Sequence, residues 1–199
     1  MARPKEFDPH TALVAAMELF RRQGYEATSV QDLVDALGVN RSSMYAAYGS
    51  KHDLYLKALD LYCAVESGRA QQALAAPESG SGEALPVLRG FLLSYVDAAL
   101  DDPARGGCLV THGVLERLPR DAAAAERFGG ALGSLEEAFA YLLLRARVAG
   151  ELAPGTDVRS TARFLVTLTQ GLRVMERVAD RAYLTHVVDQ ALRGLTRAA

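Results

Sequence analysis

Between Thr28 and Lys51 the sequence holds two very short helical patterns parted by one glycine, and few folds can use such a pair. Thr28-Ser29-Val30-Gln31 has the form of a capping box, a Thr hydroxyl and a Gln amide closing each other's orphan backbone groups. Val30, Leu33, Val34 and Leu37 follow at i, i+3, i+4 and i+7, a helical stripe. Gly38 ends that helix, and Asn40 suits the N-cap of the next. Val39 and Met44 flank the cap where a hydrophobic staple belongs. The second helix stops near Gly49. Ser50, with Asp53 at the third position, then caps a longer helix whose inner stripe is Leu54, Ala58, Leu61, Tyr62 and Val65. Two short helices around a tight Gly turn read as a helix-turn-helix.

The rest of the chain also reads as helix. Asp8 caps a helix opened by Pro9, with Leu13, Met17 and Phe20 on one face and Gly24 as its stop. Further helices are expected at about 84–101, 106–117, 121–149, 157–178 and 181–197. Pro103, Pro119 and Pro154 mark breaks between them, and Ala76 to Ala84 reads as a loop. Ala, Leu and Arg abound, and no strand-like alternation of useful length appears. The expected fold is all-α with about nine helices, in two domains over residues 6–66 and 67–199.

A helix-turn-helix braces its first helix across a DNA backbone and sets its second into the major groove. The second helix must then be short, capped and polar at its start. Here that start is Asn40-Arg41-Ser42-Ser43. Arg41 suits guanine O6 and N7, and the two serines permit close approach. Thr28 at a helix N-terminus, the hydroxyls of Tyr45 and Tyr48, and the charge of Lys51 are placed to flank the reader with phosphate contacts. Tyr48 is equally suited to core packing. Charge alone gives no support to this reading. The net charge is −2, and the first 60 residues hold seven Lys and Arg against eight Asp and Glu.

Residues from about 6 to 66 resemble the N-terminal domain of TetR-type (TetR/AcrR) regulators. The resemblance rests on Gly24-Tyr25-Glu26-Ala27-Thr28-Ser29-Val30, on Gly38-Val39-Asn40-Arg41-Ser42-Ser43-Met44-Tyr45, and on Tyr48-Gly49-Ser50-Lys51-His52-Asp53-Leu54. It implies that Thr28, Tyr45 and Lys51 contact phosphates and that Arg41 to Ser43 face bases. Many members carry a polar-aromatic pair after the position of Tyr45, where this chain has Ala46-Ala47. The resemblance also implies a homodimer on double-stranded operator DNA, with a small apolar or aromatic effector held in the second domain.

In that second domain Thr161, Leu165, Leu168, Leu172 and Met175 alternate steps of four and three, a seam suited to a partner helix. Leu184, Val187, Val188, Ala191 and Leu195 form a second stripe. Together they suit a four-helix dimer interface or the closing of the chain's own core. Candidate effector contacts are Tyr62, Phe91, Tyr95, Phe139, Tyr141, Phe164 and Met175. Cys108, His112 and Glu116 lie at i, i+4 and i+8 on one helical face. The first and last are ~12 Å apart along the axis, too far to share one ion, and no metal site is assigned. Cys108 and His112 leave open a thiol sensor, an effector contact or plain packing.

The two cysteines stand 45 positions apart and form no disulfide framework. The N-terminus lacks an apolar signal core, and no apolar run reaches membrane length. A cytoplasmic protein without a membrane partner or cofactor is expected. The function expected is a sequence-specific repressor released by a small effector. An activator or a Cys108-based thiol-responsive regulator stands as the alternative. A helical enzyme with Cys108 as nucleophile and His112 as base is remote, since it leaves the first 60 residues without a purpose.

Overall fold

The computed structural model describes residues 8–75, 84–101 and 106–196. The expected loop over 76–84 falls outside them except for Ala84, as do Arg3, Lys5 and Pro103. Nine helices occupy most of the described residues. They are α1 (Pro9–Gln23), α2 (Val30–Leu37), α3 (Arg41–Tyr48), α4 (Lys51–Leu74), α5 (Ala84–Asp101), α6 (Leu109–Arg117), α7 (Ala122–Val148), α8 (Val158–Met175) and α9 (Arg181–Arg193). The only β pairing among the described residues is a single bridge between Leu152 and Thr196.

The caps explain most of these boundaries. Asp8 accepts the His10 and Thr11 N–H groups at the start of α1, and Asn40 accepts that of Ser43 at 2.8 Å at the start of α3. Gly38 ends α2 in the left-handed conformation, φ 66°, which an L side chain seldom adopts. The capping box of α2 differs from the expected one. Ser29 is the N-cap, and Asp32 is its third-position partner, with exchanged bonds of 3.1 and 2.8 Å. Thr28 stands one residue too early and turns inward. A carboxylate at Asp32 also accepts more strongly than the Gln31 amide, which donates to Asp35 instead at 2.9 Å. Ser50 and Asp53 form the expected reciprocal pair before α4, at 2.8 and 3.0 Å.

The described residues fall into two compact units. One lies within Met1–Val65 and Ala104–Phe128, the other within Glu66–Pro103 and Gly129–Ala199. The first unit therefore holds α6 and the start of α7, which a linear division at 66/67 assigns elsewhere. Its core joins Ala16 and Phe20 of α1, Leu33 of α2, Met44 of α3, Leu54, Tyr55, Ala58 and Leu59 of α4, Leu109 of α6 and Phe128 of α7, all buried. Burying this apolar surface is the main driving force for the unit. Of the expected inner stripe of α4, Leu54, Ala58 and Tyr62 are buried, joined by Tyr55 and Leu59, whereas Val65 is 56% exposed.

The second unit packs α5, α7, α8 and α9 around Leu88, Phe91, Leu92, Phe139, Leu143, Leu165, Leu184 and Val188. The Glu151 carboxylate accepts the Ala84 and Leu85 N–H groups at 2.9 and 3.0 Å, capping α5 from a distant part of the chain. Arg89 of α5 grips Asp189 of α9 with two bonds, 2.7 and 3.2 Å.

Candidate nucleic-acid interface

α3 is eight residues long, and its two faces differ sharply. Met44 and Tyr48, one turn apart, are buried. Arg41, Ser42, Ser43, Tyr45, Ala46 and Ala47 are exposed. The Tyr48 hydroxyl donates to the Pro9 carbonyl at 2.7 Å, pinning the end of α3 to the start of α1. Tyr48 is thus a core residue rather than an exposed phosphate donor. Thr28 is also fully buried, and its hydroxyl donates to the Gly24 carbonyl at 2.6 Å. A threonine so placed shapes the entry into α2 and shows no donor to the surface. Tyr45 is 43% exposed.

The unfavourable charge balance has a local resolution. Asp8, Asp32 and Asp53 are spent on helix N-termini. Glu26 and Asp60 pair with arginines from beyond the first 60 residues: Arg117 at 2.7 Å and Arg127 at 2.7 Å. Arg41 is exposed and has no ion-pair partner among the described residues. Most of the acidic charge of the described part of this segment is thus held in caps and pairs, while Arg41 carries its charge free of ion pairs at the exposed start of α3.

Lys51, the first residue of α4, is half-buried, with its Nζ 4.3 Å from the centre of the Tyr25 ring. Burial, with the nearby charge of Arg117, draws its ammonium pKa down, opposed by Glu26, Glu116 and Asp32. The guanidinium of Arg117 lies 4.2 Å from the centre of the same ring. Arg117 also bonds Asp121 at 3.0 Å, and Asp121 faces His52 Nε2 at 2.8 Å. Glu116 accepts the Tyr25 N–H at 2.7 Å. Sequence patterns do not reveal this cluster, because its members come from the α1–α2 turn, α4, α6 and the approach to α7. The nearest signal is Tyr25 itself, inside one of the three family-like stretches.

Two family descriptions match the chain. "Bacterial regulatory proteins, tetR family" covers residues 12–58, and "Tetracyclin repressor-like, C-terminal domain" covers residues 84–192. The chain belongs to the TetR family of transcriptional regulators. Among relatives, it is 36% identical over 194 residues to the uncharacterised helix-turn-helix regulator YezE of Bacillus subtilis, covering 96% of this chain and 98% of that one. It is 29% identical to the repressor ComR of Escherichia coli, over 88% of this chain and 82% of the relative. Among solved structures, the TetR-family regulator CifR, a cysteine mutant held on 26 bp of double-strand operator DNA, superposes with a TM-score of 0.82. The two are 31% identical, over 98% of this chain and all of CifR.

TetR-family chains are regulators and not enzymes. Cys108 is buried and serves as the N-cap of α6, its Sγ accepting the Thr111 N–H at 3.4 Å. His112 is half-buried one turn on, and Glu116 is committed to Tyr25. Among the described residues, no group of three or more His, Cys, Asp or Glu side chains is arranged to hold a metal ion. Nor is any described helix long and apolar enough to cross a membrane.

The candidate effector residues divide three ways. Phe91, Tyr95 and Phe139 meet in the second unit, Phe91 lying edge-on to Tyr95 at 5.1 Å and to Phe139 at 5.6 Å. Tyr62, Cys108 and His112 belong to the first unit. Tyr141, Phe164 and Met175 are on the surface, 57%, 48% and 36% exposed. The seam residues also divide. Leu165, Leu172, Leu184, Val188 and Leu195 sit in the core of the second unit, because that edge of each stripe faces the protomer's own helices. Leu168, Val187 and Ala191 are half-buried and, with an edge of Leu195, line an apolar surface groove beside Phe164.

Proposed function

We propose that this TetR-family regulator is a homodimeric repressor that binds near-palindromic double-stranded operator DNA and is released by a small effector. The observation carrying the DNA reading is the division of α3. Its core face locks it onto α1, and its other face offers Arg41, Ser42, Ser43 and Tyr45. CifR on operator DNA and the repressor ComR give the reading its support from relatives. Arg41 to Ser43 would meet bases, while Tyr45 and Lys51 would meet phosphates on either side.

The dimer follows from the geometry of reading. One short helix spans only a few base pairs, so two copies are needed for half-sites about 34–36 Å apart, or a multiple of that. The groove beside Phe164, Leu168, Val187 and Ala191 is the surface proposed to pair with a second copy. A small apolar or aromatic effector would bind in the second unit near Phe91, Tyr95 and Phe139, and it would act by favouring a conformation that does not grip DNA.

A gel-shift titration against DNA flanking the protein's own gene tests the proposal. A salt-sensitive, sequence-selective shift is expected, and its absence at micromolar protein rejects the DNA reading. Lys51→Ala should weaken binding to all sequences alike, whereas Arg41→Ala should also relax base preference. Transcription of the adjacent promoter in a purified system separates repression from activation.

A further inference from the structure

Tyr25, in the short turn between α1 and α2, is held by partners distant in sequence. Its ring has Lys51 Nζ at 4.3 Å and Arg117 Cζ at 4.2 Å. Tyr55 meets it at 4.9 Å and His52 at 6.2 Å, both edge to face. Its backbone N–H is held by Glu116. The ring is therefore fixed from several directions, and α6 supplies two of the fixings.

Two cations on one ring would repel each other in an empty site. Here Glu26 and Asp121 both bond Arg117, and the π face attracts each cation in turn. Lys51 has no carboxylate bonded to it among the described residues; its ammonium is steered by the ring. A lysine carries four rotatable bonds, and holding it costs entropy each time it meets a phosphate. A ring that already confines the ammonium lowers that cost.

We infer that Tyr25 is a positioning residue for DNA binding, holding the Lys51 ammonium in place for a backbone phosphate while α6 holds Tyr25. The inference rests on the DNA reading above and on Lys51 being a phosphate contact. It also makes a motif residue, otherwise a packing aromatic, into the link between α6 and the reader's charge.

The test compares Tyr25→Leu, Tyr25→Phe, Lys51→Met and the Tyr25→Leu/Lys51→Met double variant in the full chain. The readouts are affinity for flanking DNA across a salt series and the NMR shifts of the Lys51 side-chain methylene protons in free protein. In the wild type, the ring current of Tyr25 should displace the methylene shifts nearest Lys51 Nζ. That displacement should survive in Tyr25→Phe and vanish in Tyr25→Leu. Tyr25→Leu should weaken DNA binding roughly three- to tenfold, the size of a cation–π contact between the exposed and the desolvated limits. It should also lower the slope of log affinity against log salt, by up to about one, as Lys51→Met does. The double variant should bind no more weakly than Lys51→Met.

An affinity loss in Tyr25→Leu with unchanged salt slope, or additive with Lys51→Met, overturns the inference and leaves the DNA reading standing, since a merely loosened fold gives that pattern. Unperturbed Lys51 shifts in the wild type overturn it as well. A Lys51→Met variant that binds like the wild type removes Lys51 from the phosphate contacts and the inference with it. A wild type that does not bind selectively rejects the function itself.

Discussion

The backbone N–H of Tyr25 donates to Glu116 Oε2 at 2.7 Å across 91 positions of sequence. That bond fastens the turn leading into the reader to the end of α6. Gly24, immediately before it, adopts φ 82°, and a Cβ there would lie 2.1 Å from Glu116 Oε1. The bond thus needs glycine twice, for the backbone angle and for the space.

Gly24→Ala should destabilise the protein by roughly 1–2 kcal/mol through the strained backbone and the displaced carboxylate. Glu116→Ala should cost about 1 kcal/mol, the worth of one ordinary hydrogen bond. Because both act on one contact, the double variant should cost less than their sum in urea denaturation. Full additivity would show that the Tyr25–Glu116 bond contributes nothing.

The Tyr55 hydroxyl is fully buried and finds no hydrogen-bond partner among the described residues. Burial also raises its pKa far above the ordinary value. Tyr55→Phe removes an unsatisfied group without disturbing the ring contacts, and it should hold or raise stability by up to about 1 kcal/mol. Gly113→Ala should do the opposite. Its Cβ would stand 2.4 Å from Phe128 Cζ and 2.5 Å from Tyr55 Oη, at an overpacking cost of roughly 1–3 kcal/mol. Paired denaturation curves check both, and a destabilised Tyr55→Phe would reveal a partner for the hydroxyl.

Asp121 sets an acid limb on stability. Burial pushes its carboxyl pKa up, but the Ala124 N–H, His52 and Arg117 outweigh that and hold it below its ordinary 3.8. A carboxyl with a folded pKa below its unfolded one binds a proton less readily when folded. Its stabilisation is complete above the unfolded value and is lost as pH falls through the folded one. Asp121→Asn should lose roughly 1–3 kcal/mol near neutrality and show a shallower loss below about pH 4. Thermal melts from pH 3 to 7 measure this, and parallel acid limbs in the two proteins would contradict it.

Val187→Glu and Leu165→Glu should fail in different ways. Val187 borders the surface groove, so its variant should fold, run as a monomer by light scattering, and bind operator at least tenfold more weakly. Leu165 is fully buried, so its variant should unfold. A dimeric, folded Val187→Glu protein would place the subunit contact elsewhere.

Tyr48→Phe separates the two roles open to that residue. Its hydroxyl bonds Pro9, so the variant should lose about 1 kcal/mol of stability yet keep operator affinity within about threefold. A larger affinity loss without destabilisation would restore Tyr48 as a phosphate contact.

Much of this protein is determined by neighbours in sequence. Caps such as Asp8, Asn40 and Ser50–Asp53 act over two or three positions, as does the left-handed stop at Gly38. Helix boundaries and the helix-turn-helix are therefore legible in the sequence alone. So are the exposed residues at the start of α3. Even there, one residue of register moves the capping box from Thr28 to Ser29 and turns an expected phosphate donor inward.

What only the tertiary structure decided is which edge of each stripe meets which partner. Periodicity gives a helix an apolar side but cannot say where that side divides. Leu165 and Val188 are core, while Leu168 and Val187 border an open groove. Nor could composition show that Glu26 and Asp60 are paired with arginines more than 60 positions away. The Tyr25 cluster is the clearest case. Its bonds are short in space and long in sequence, and no local rule reaches from residue 25 to residue 116.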